Sequence, residues 1–291
     1  MKLALGTVQF GIDYGVTNKF GKTSSEEVAK ILDYAKGKIS VIDTAPSYGT
    51  SEHILGINMM EGFNVVTKTP HIHQDNITQA DIEVVESVFF QSLNTLKLPA
   101  VYGLLIHNSN DMFKQGADKL FDKIHELKRQ GYIEKIGISV YSQKEIELLT
   151  NQYSFDIVQV PLNVFDQRLV KSGTLKRLKE KKIEIHARSI FLQGILLNET
   201  SMLTNKFKEL TPLLTNYFTD LKNNQLTKVE GALSFIDSIE EIDQAIIGVD
   251  NVSQLKQIYR DYEKIQGTKG CCVDFMKYAC ENENMIDPRK W

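Results

Sequence analysis

No stretch of about 18 consecutive apolar residues occurs in the chain, so no membrane-spanning helix is expected. Basic residues are not in excess. The 34 Lys and Arg stand against 37 Asp and Glu, and the net charge of −3 points to neither nucleic acid nor an anionic membrane surface as a partner. Cysteine is scarce: Cys271, Cys272 and Cys280 sit together late in the chain. An odd, clustered set suits reduced thiols better than a disulfide framework, and it offers too few ligands for a zinc site. The opening MKLALGTVQFGIDYG turns polar too early for a secretory signal, and with the thiols this predicts a cytoplasmic protein. Linkers, low-complexity tracts and internal repeats are missing too, so one domain over residues 1–291 is expected, with no signal of oligomeric state.

What the chain does have is alternation. Eight short apolar runs rich in Ile and Val read as strands: KLALG (2–6), ISVID (39–43), NVVTK (64–68), VYGLLIH (101–107), EKIGIS (134–139), FDIVQVP (155–161), IEIHAR (183–188) and IDQAIIG (242–248). Helical patterns lie between them, at 24–37, 76–96, 116–130, 142–150, 167–182 and 251–263. A long excursion from about 196 to 237 separates strands seven and eight and holds two helix-like pieces. Eight strand–helix units in series predict a (β/α)8 TIM barrel over a doubly wound sheet, and no G-x-G-x-x-G follows the first strand.

In such a barrel the chemistry sits at the C-terminal strand ends. The second strand ends in Asp43, with Tyr48 on the loop after it; the third ends in Lys68 and the fourth in His107. Each alone has an ordinary explanation: a turn-forming acid, a lysine reaching solvent, a structural histidine. Together they form a working set. A phenol with a reference pKa near 10 is a poor acid at neutral pH, and a neighbouring ammonium lowers that value. A carboxylate holds the ammonium in place, and a histidine can orient a substrate oxygen. The set suits proton donation to a developing alkoxide but supplies no hydride, so a nicotinamide is implied.

At these residues the chain resembles the aldo-keto reductases. The resemblance runs through LGTVQFG, DTAPSYG (43–49), VVTKTP, LLIHN, GISVY, QVPLNVFD, RSIFLQGIL and IIGVDNVSQL in order, and covers almost the whole chain. It implies that Tyr48 is the general acid, tuned by Lys68 and Asp43, and that His107 orients the carbonyl. For the coenzyme it points to Gly6, Thr7, Asp43, Ser139, Gln159, Arg188, Ser189, Gly248 and Gln254. Arg188 stands where relatives stack an aromatic on the nicotinamide, a task its flat guanidinium can perform. Val140 and Ile258 replace two expected amides. NADPH is the family default, but no Lys or Arg lies between Gly248 and Gln254, which leaves NADH or dual use open.

The opening segment and RSIFLQGIL resemble a bacterial branch associated with surface-polysaccharide genes, which suggests a keto-sugar among the small-molecule carbonyl substrates. Phe10, Tyr14, Tyr141, Phe165 and Phe191 are candidate pocket aromatics, about half of them expected in the core. Trp291, the only tryptophan, is expected to fold over the barrel mouth and line the substrate site. His71 and His73 in HIH look like a metal pair but follow the wrong strand, and a polar loop is the preferred reading; no metal is expected. His186 is expected to be structural, and the basic run 176–186 a solvated helix end. Two competing functions remain: a regulatory barrel that binds the coenzyme without turnover, and a Schiff-base aldolase using Lys68, which its pairing with Asp43 disfavours.

Overall fold

Successive residues of a strand face opposite sides of the sheet, and this period of two organises the molecule. The computed structural model describes residues 1–18, 21–58, 61–267 and 272–291. Eight parallel strands close into a barrel in sequence order: β1 (Lys2–Gly6), β2 (Val41–Asp43), β3 (Asn64–Lys68), β4 (Val101–Ile106), β5 (Ile133–Ser139), β6 (Ile157–Pro161), β7 (Glu184–Arg188) and β8 (Gln244–Gly248). β8 pairs back onto β1, with Gly6 opposite Gly248, and β2 lies on the other side of β1, with Gly6 opposite Asp43. All eight strands fall within the runs read from the sequence or within one residue of them.

Inside the barrel Ala4, Val41, Val66, Leu105, Ile157 and Ile246 form a dry apolar plug. Two residues further along the same strands stand Gly6, Asp43, Lys68, His107, Gln159 and Gly248. The register that buries the plug therefore turns these residues inward at the C-terminal mouth. The outward residues, among them Leu3, Leu5, Ile42, Val65 and Leu104, pack against the helix ring at 0–3% exposure. Each such side chain stabilises the fold by roughly 1.5–3 kcal/mol.

The helices start where caps allow. Ser24 accepts from the Glu27 backbone N–H ahead of Ser25–Ala35, and Thr78, Ser142 and Thr227 form reciprocal capping boxes with Asp81, Glu145 and Glu230. The single helix expected over 167–182 is two short ones, Arg168–Lys171 and Thr174–Glu180. Gly173, at φ 68°, breaks the run in the left-handed region. The excursion after β7 carries the two expected helices, Thr211–Asn223 and Lys228–Asp237, behind a series of 3₁₀ turns.

The lower barrel holds a polar cluster. Glu184 accepts from Tyr102 (2.8 Å), from Lys135 (2.5 Å) and, through its other oxygen, makes a 2.8 Å hydrogen bond with His186 Nε2. His186 is fully buried, in line with a structural role. Among the described residues no helix is long and apolar enough to cross a membrane, and no His/Cys/Asp/Glu group could hold a metal. Cys272 and Cys280 carry free thiols; Cys271 lies outside the described residues.

Candidate active site

Lys68 and Asp43 are both almost completely buried at the barrel mouth. Lys68 Nζ donates to Asp43 Oδ2 at 2.7 Å and to the Thr44 carbonyl at 2.8 Å, and it also hydrogen-bonds the Tyr48 phenol. The other carboxylate oxygen, Oδ1, accepts from Gln159 Nε2 at 2.7 Å. Burial pulls the lysine's pKa down, but the Asp43 carboxylate and the phenol outweigh it and hold Lys68 above its ordinary value. The ammonium sits 4.9 Å from the centre of the Tyr48 ring.

The expected lowering of the Tyr48 pKa is corrected in this state of the protein. Burial raises it, and the opposing pull of Lys68 does not overcome that. Tyr48 is thus a protonated phenol throughout the neutral range, with a fixed cation waiting to stabilise the phenolate once the proton leaves. His107 stands edge-on to Tyr48, ring centres 5.9 Å apart. Its pKa is pushed down to about 2, first by burial and then by Lys68, His71 and Arg188, so the imidazole is neutral. Ser47 Oγ lies 3.4 Å from His107 Nδ1. When that hydroxyl donates, the ring proton is left on Nε2. Of the HIH pair, His71 packs edge-on against His107 at 4.6 Å, and both histidines of the pair are exposed.

A cavity of about 650 Å³ opens over these groups. It runs from Tyr48 and His107 past Gly6 and Gly248 to the loop after β8 and the first turns of the helix Val252–Gln266. Every residue expected to hold a coenzyme lines it: Gly6, Thr7, Asp43, Ser139, Gln159, Arg188, Ser189, Gly248 and Gln254. Val140 is instead fully buried in the core. The loop after β7 carries three non-glycine residues at positive φ, Ser189 (59°), Leu192 (47°) and Gln193 (51°), a concentration of backbone strain against the cavity.

The aromatic expectations divide. Tyr14, Tyr141 and Phe191 line the cavity, whereas Phe10 and Phe165 are fully buried in the core. The placement of Phe10 is therefore a correction: it sits in the turn Val8–Gly11, packed inward. Trp291 is a second correction. Its ring packs on Phe207 at 4.9 Å and its Nε1 donates to the Asn284 carbonyl, away from the cavity lining. The tail does reach the barrel top, but through Arg289, whose guanidinium lies 3.9 Å from the Tyr141 ring centre; that of Arg188 lies 4.1 Å from the same ring. Gln9, Ser47, Gln193 and Asp250 also surround the site without having been expected there. The period of two could have marked only residues on strands, and these four sit on loops and turns.

A family model described as the aldo/keto reductase family matches residues 2–266. No curated protein sequence matches significantly. Among solved structures, the holo form of aldo-keto reductase AKR11C1 from Bacillus halodurans superposes with a TM-score of 0.74 at 16% identity, over 98% of this chain and 95% of that one. The glycerol dehydrogenase AKR11B4 from Gluconobacter oxydans gives a TM-score of 0.68 at 17% identity, over 91% and 90%. At these identities the structural likeness is one of fold.

Proposed function

The chain belongs to the aldo/keto reductase family and is an oxidoreductase; from that premise we propose that it reduces an aldehyde or ketone to an alcohol with a nicotinamide coenzyme, using Tyr48 as proton donor. The observation that carries this reading is the buried ammonium of Lys68, shared between Asp43, the Thr44 carbonyl and the Tyr48 phenol.

The residues around the cavity fit a dinucleotide. Gln9 Oε1 is buried there with no hydrogen-bond partner. Gly6 and Gly248 leave room where β1 meets β8, and a Cβ at 248 would collide with the Gln9 amide. Ser139 and Gln159 offer polar groups for a carboxamide, and Arg188 a flat cation beside it. The coenzyme, when bound, supplies the hydride. Tyr48 gives its proton to the carbonyl oxygen, Lys68 stabilises the phenolate left behind, and His107, neutral, donates a hydrogen bond that orients the carbonyl. Asp43 keeps the ammonium charged and aimed.

The rim is polar: Gln193 Nε2 donates to the Tyr14 hydroxyl at 3.2 Å, with Asn18 and Ser47 close by. Such a rim suits a polyhydroxylated carbonyl, a keto-sugar or a small sugar aldehyde. The test is oxidation of NADH and NADPH, followed at 340 nm, across keto-sugars, glyceraldehyde and simple aldehydes. Turnover on at least one carbonyl is expected. Tight coenzyme binding without turnover on any of them would favour the regulatory reading instead.

A further inference from the structure

We infer that the far end of this cavity selects the coenzyme without a 2′-phosphate, NAD(H), with Asp250 as the specificity residue. This rests on the reading of the site as a nicotinamide enzyme and deepens it. With hydride transfer placed at Tyr48, the adenosine half of the coenzyme falls at the other end, where Asp250, Gln254, Gln257 and Ile258 line the cavity. Among the described residues no lysine or arginine lines that end. Arg188, the only cation in the lining among the described residues, is at the catalytic end.

Asp250 is held facing this space. Its backbone N–H donates to Gln254 Oε1 at 2.8 Å, its carbonyl accepts from Thr23 Oγ1 at 3.2 Å, and Gln254 Nε2 lies 3.4 Å from its carboxylate. No ion pair among the described residues neutralises it. A carboxylate accepts hydrogen bonds from a ribose 2′-hydroxyl but repels a phosphate in the same place.

The other device that could hold a phosphate, the N-terminus of the helix Val252–Gln266, is already filled by the protein's own groups. Val252 N–H donates to Glu27 Oε1 at 2.8 Å, and Gln254 N–H to the capping Asn251 Oδ1 at 2.9 Å. The Val252 N–H is the main reason the Glu27 carboxyl stays ionised below its ordinary range. Lys30, 3.2 Å from Glu27, is engaged there. A 2′-phosphate would thus meet the Asp250 carboxylate and, among the described residues, no lysine or arginine of the lining at that end.

Calorimetric titration of the full-length protein with NAD⁺, NADP⁺, ADP-ribose and 2′-phospho-ADP-ribose tests this without turnover. NADP⁺ is expected to bind about tenfold or more weakly than NAD⁺ in low salt, the fragments to show the same order, and the gap to shrink as salt screens the repulsion. Asp250→Ser should narrow the ratio several-fold, and Glu27→Gln should narrow it further. NADP⁺ binding as tightly as NAD⁺, or a ratio unmoved in Asp250→Ser, overturns the inference while leaving the reductase reading intact. Failure of both dinucleotides to bind brings down that reading, and the inference with it.

Discussion

Lys68 Nζ stands 2.7 Å from Asp43 Oδ2 inside the barrel mouth, with almost no solvent on either side chain. Two charges buried this deeply persist because each removes the other's desolvation cost, and Gln159 and the Thr44 carbonyl saturate what is left. The pair serves a third residue: it fixes a positive charge against the phenol that must become negative.

Removing one partner of that pair strands the other. Lys68→Met is expected to destabilise the fold by about 3–5 kcal/mol in urea titrations, because Asp43 is then a buried, uncompensated carboxylate. The double variant Lys68→Met/Asp43→Asn should recover much of that stability while remaining as inactive as the single one. Equal destabilisation in both variants would contradict a coupled pair.

His107 gives a pH dependence with a definite sign. Its folded pKa is depressed to about 2 from 6.5. As pH falls through 6.5 the unfolded chain takes up a proton that the folded imidazole refuses, so this residue lowers stability progressively below pH 6.5 and has no effect above it. Comparison of unfolding free energies at pH 5.0 and 7.5 should show a shallower acid-side loss in His107→Gln than in the natural protein. Over pH 6–8 no step in kcat is expected from His107 itself.

Gly248 stands where any side chain would displace the Gln9 amide. Gly248→Ala is therefore expected to weaken coenzyme binding about tenfold by fluorescence titration, an overpacking effect of about 1–3 kcal/mol. Adding Gln9→Ala frees the space and should restore part of the affinity. No recovery would mean that the alanine acts elsewhere.

Most of this site was legible in the sequence because strands impose a period of two. Once Ala4, Val41, Val66, Leu105, Ile157 and Ile246 are taken as one inward layer, Gly6, Asp43, Lys68, His107, Gln159 and Gly248 follow as the next. Loops obey no such rule. Phe10 and Tyr14 stand four residues apart after β1, yet the first is core and the second lines the cavity. Which one turns inward depends on the short turn Val8–Gly11, whose terminal Gly11 leaves no room for a Cβ against the Tyr48 carbonyl. The tail misled in the same way: Trp291 found the apolar face of Phe207, and Arg289, tied to Asp287 at 2.7 Å and to Glu145 at 3.2 Å, took the place beside Tyr141. The pKa of Tyr48 was out of reach for a different reason, since its direction is set by the balance between burial and the nearby cation, and a sequence shows only the cation.

Tyr48→Phe tests the proton-donor role most directly, because the change removes one oxygen and leaves the ring beside Lys68 and His107. Coenzyme affinity should stay within a few-fold of the natural protein, while the single-turnover rate of carbonyl reduction falls by about 10²–10⁴. A variant that still reduces its carbonyl at the full rate would show that the proton comes from another group.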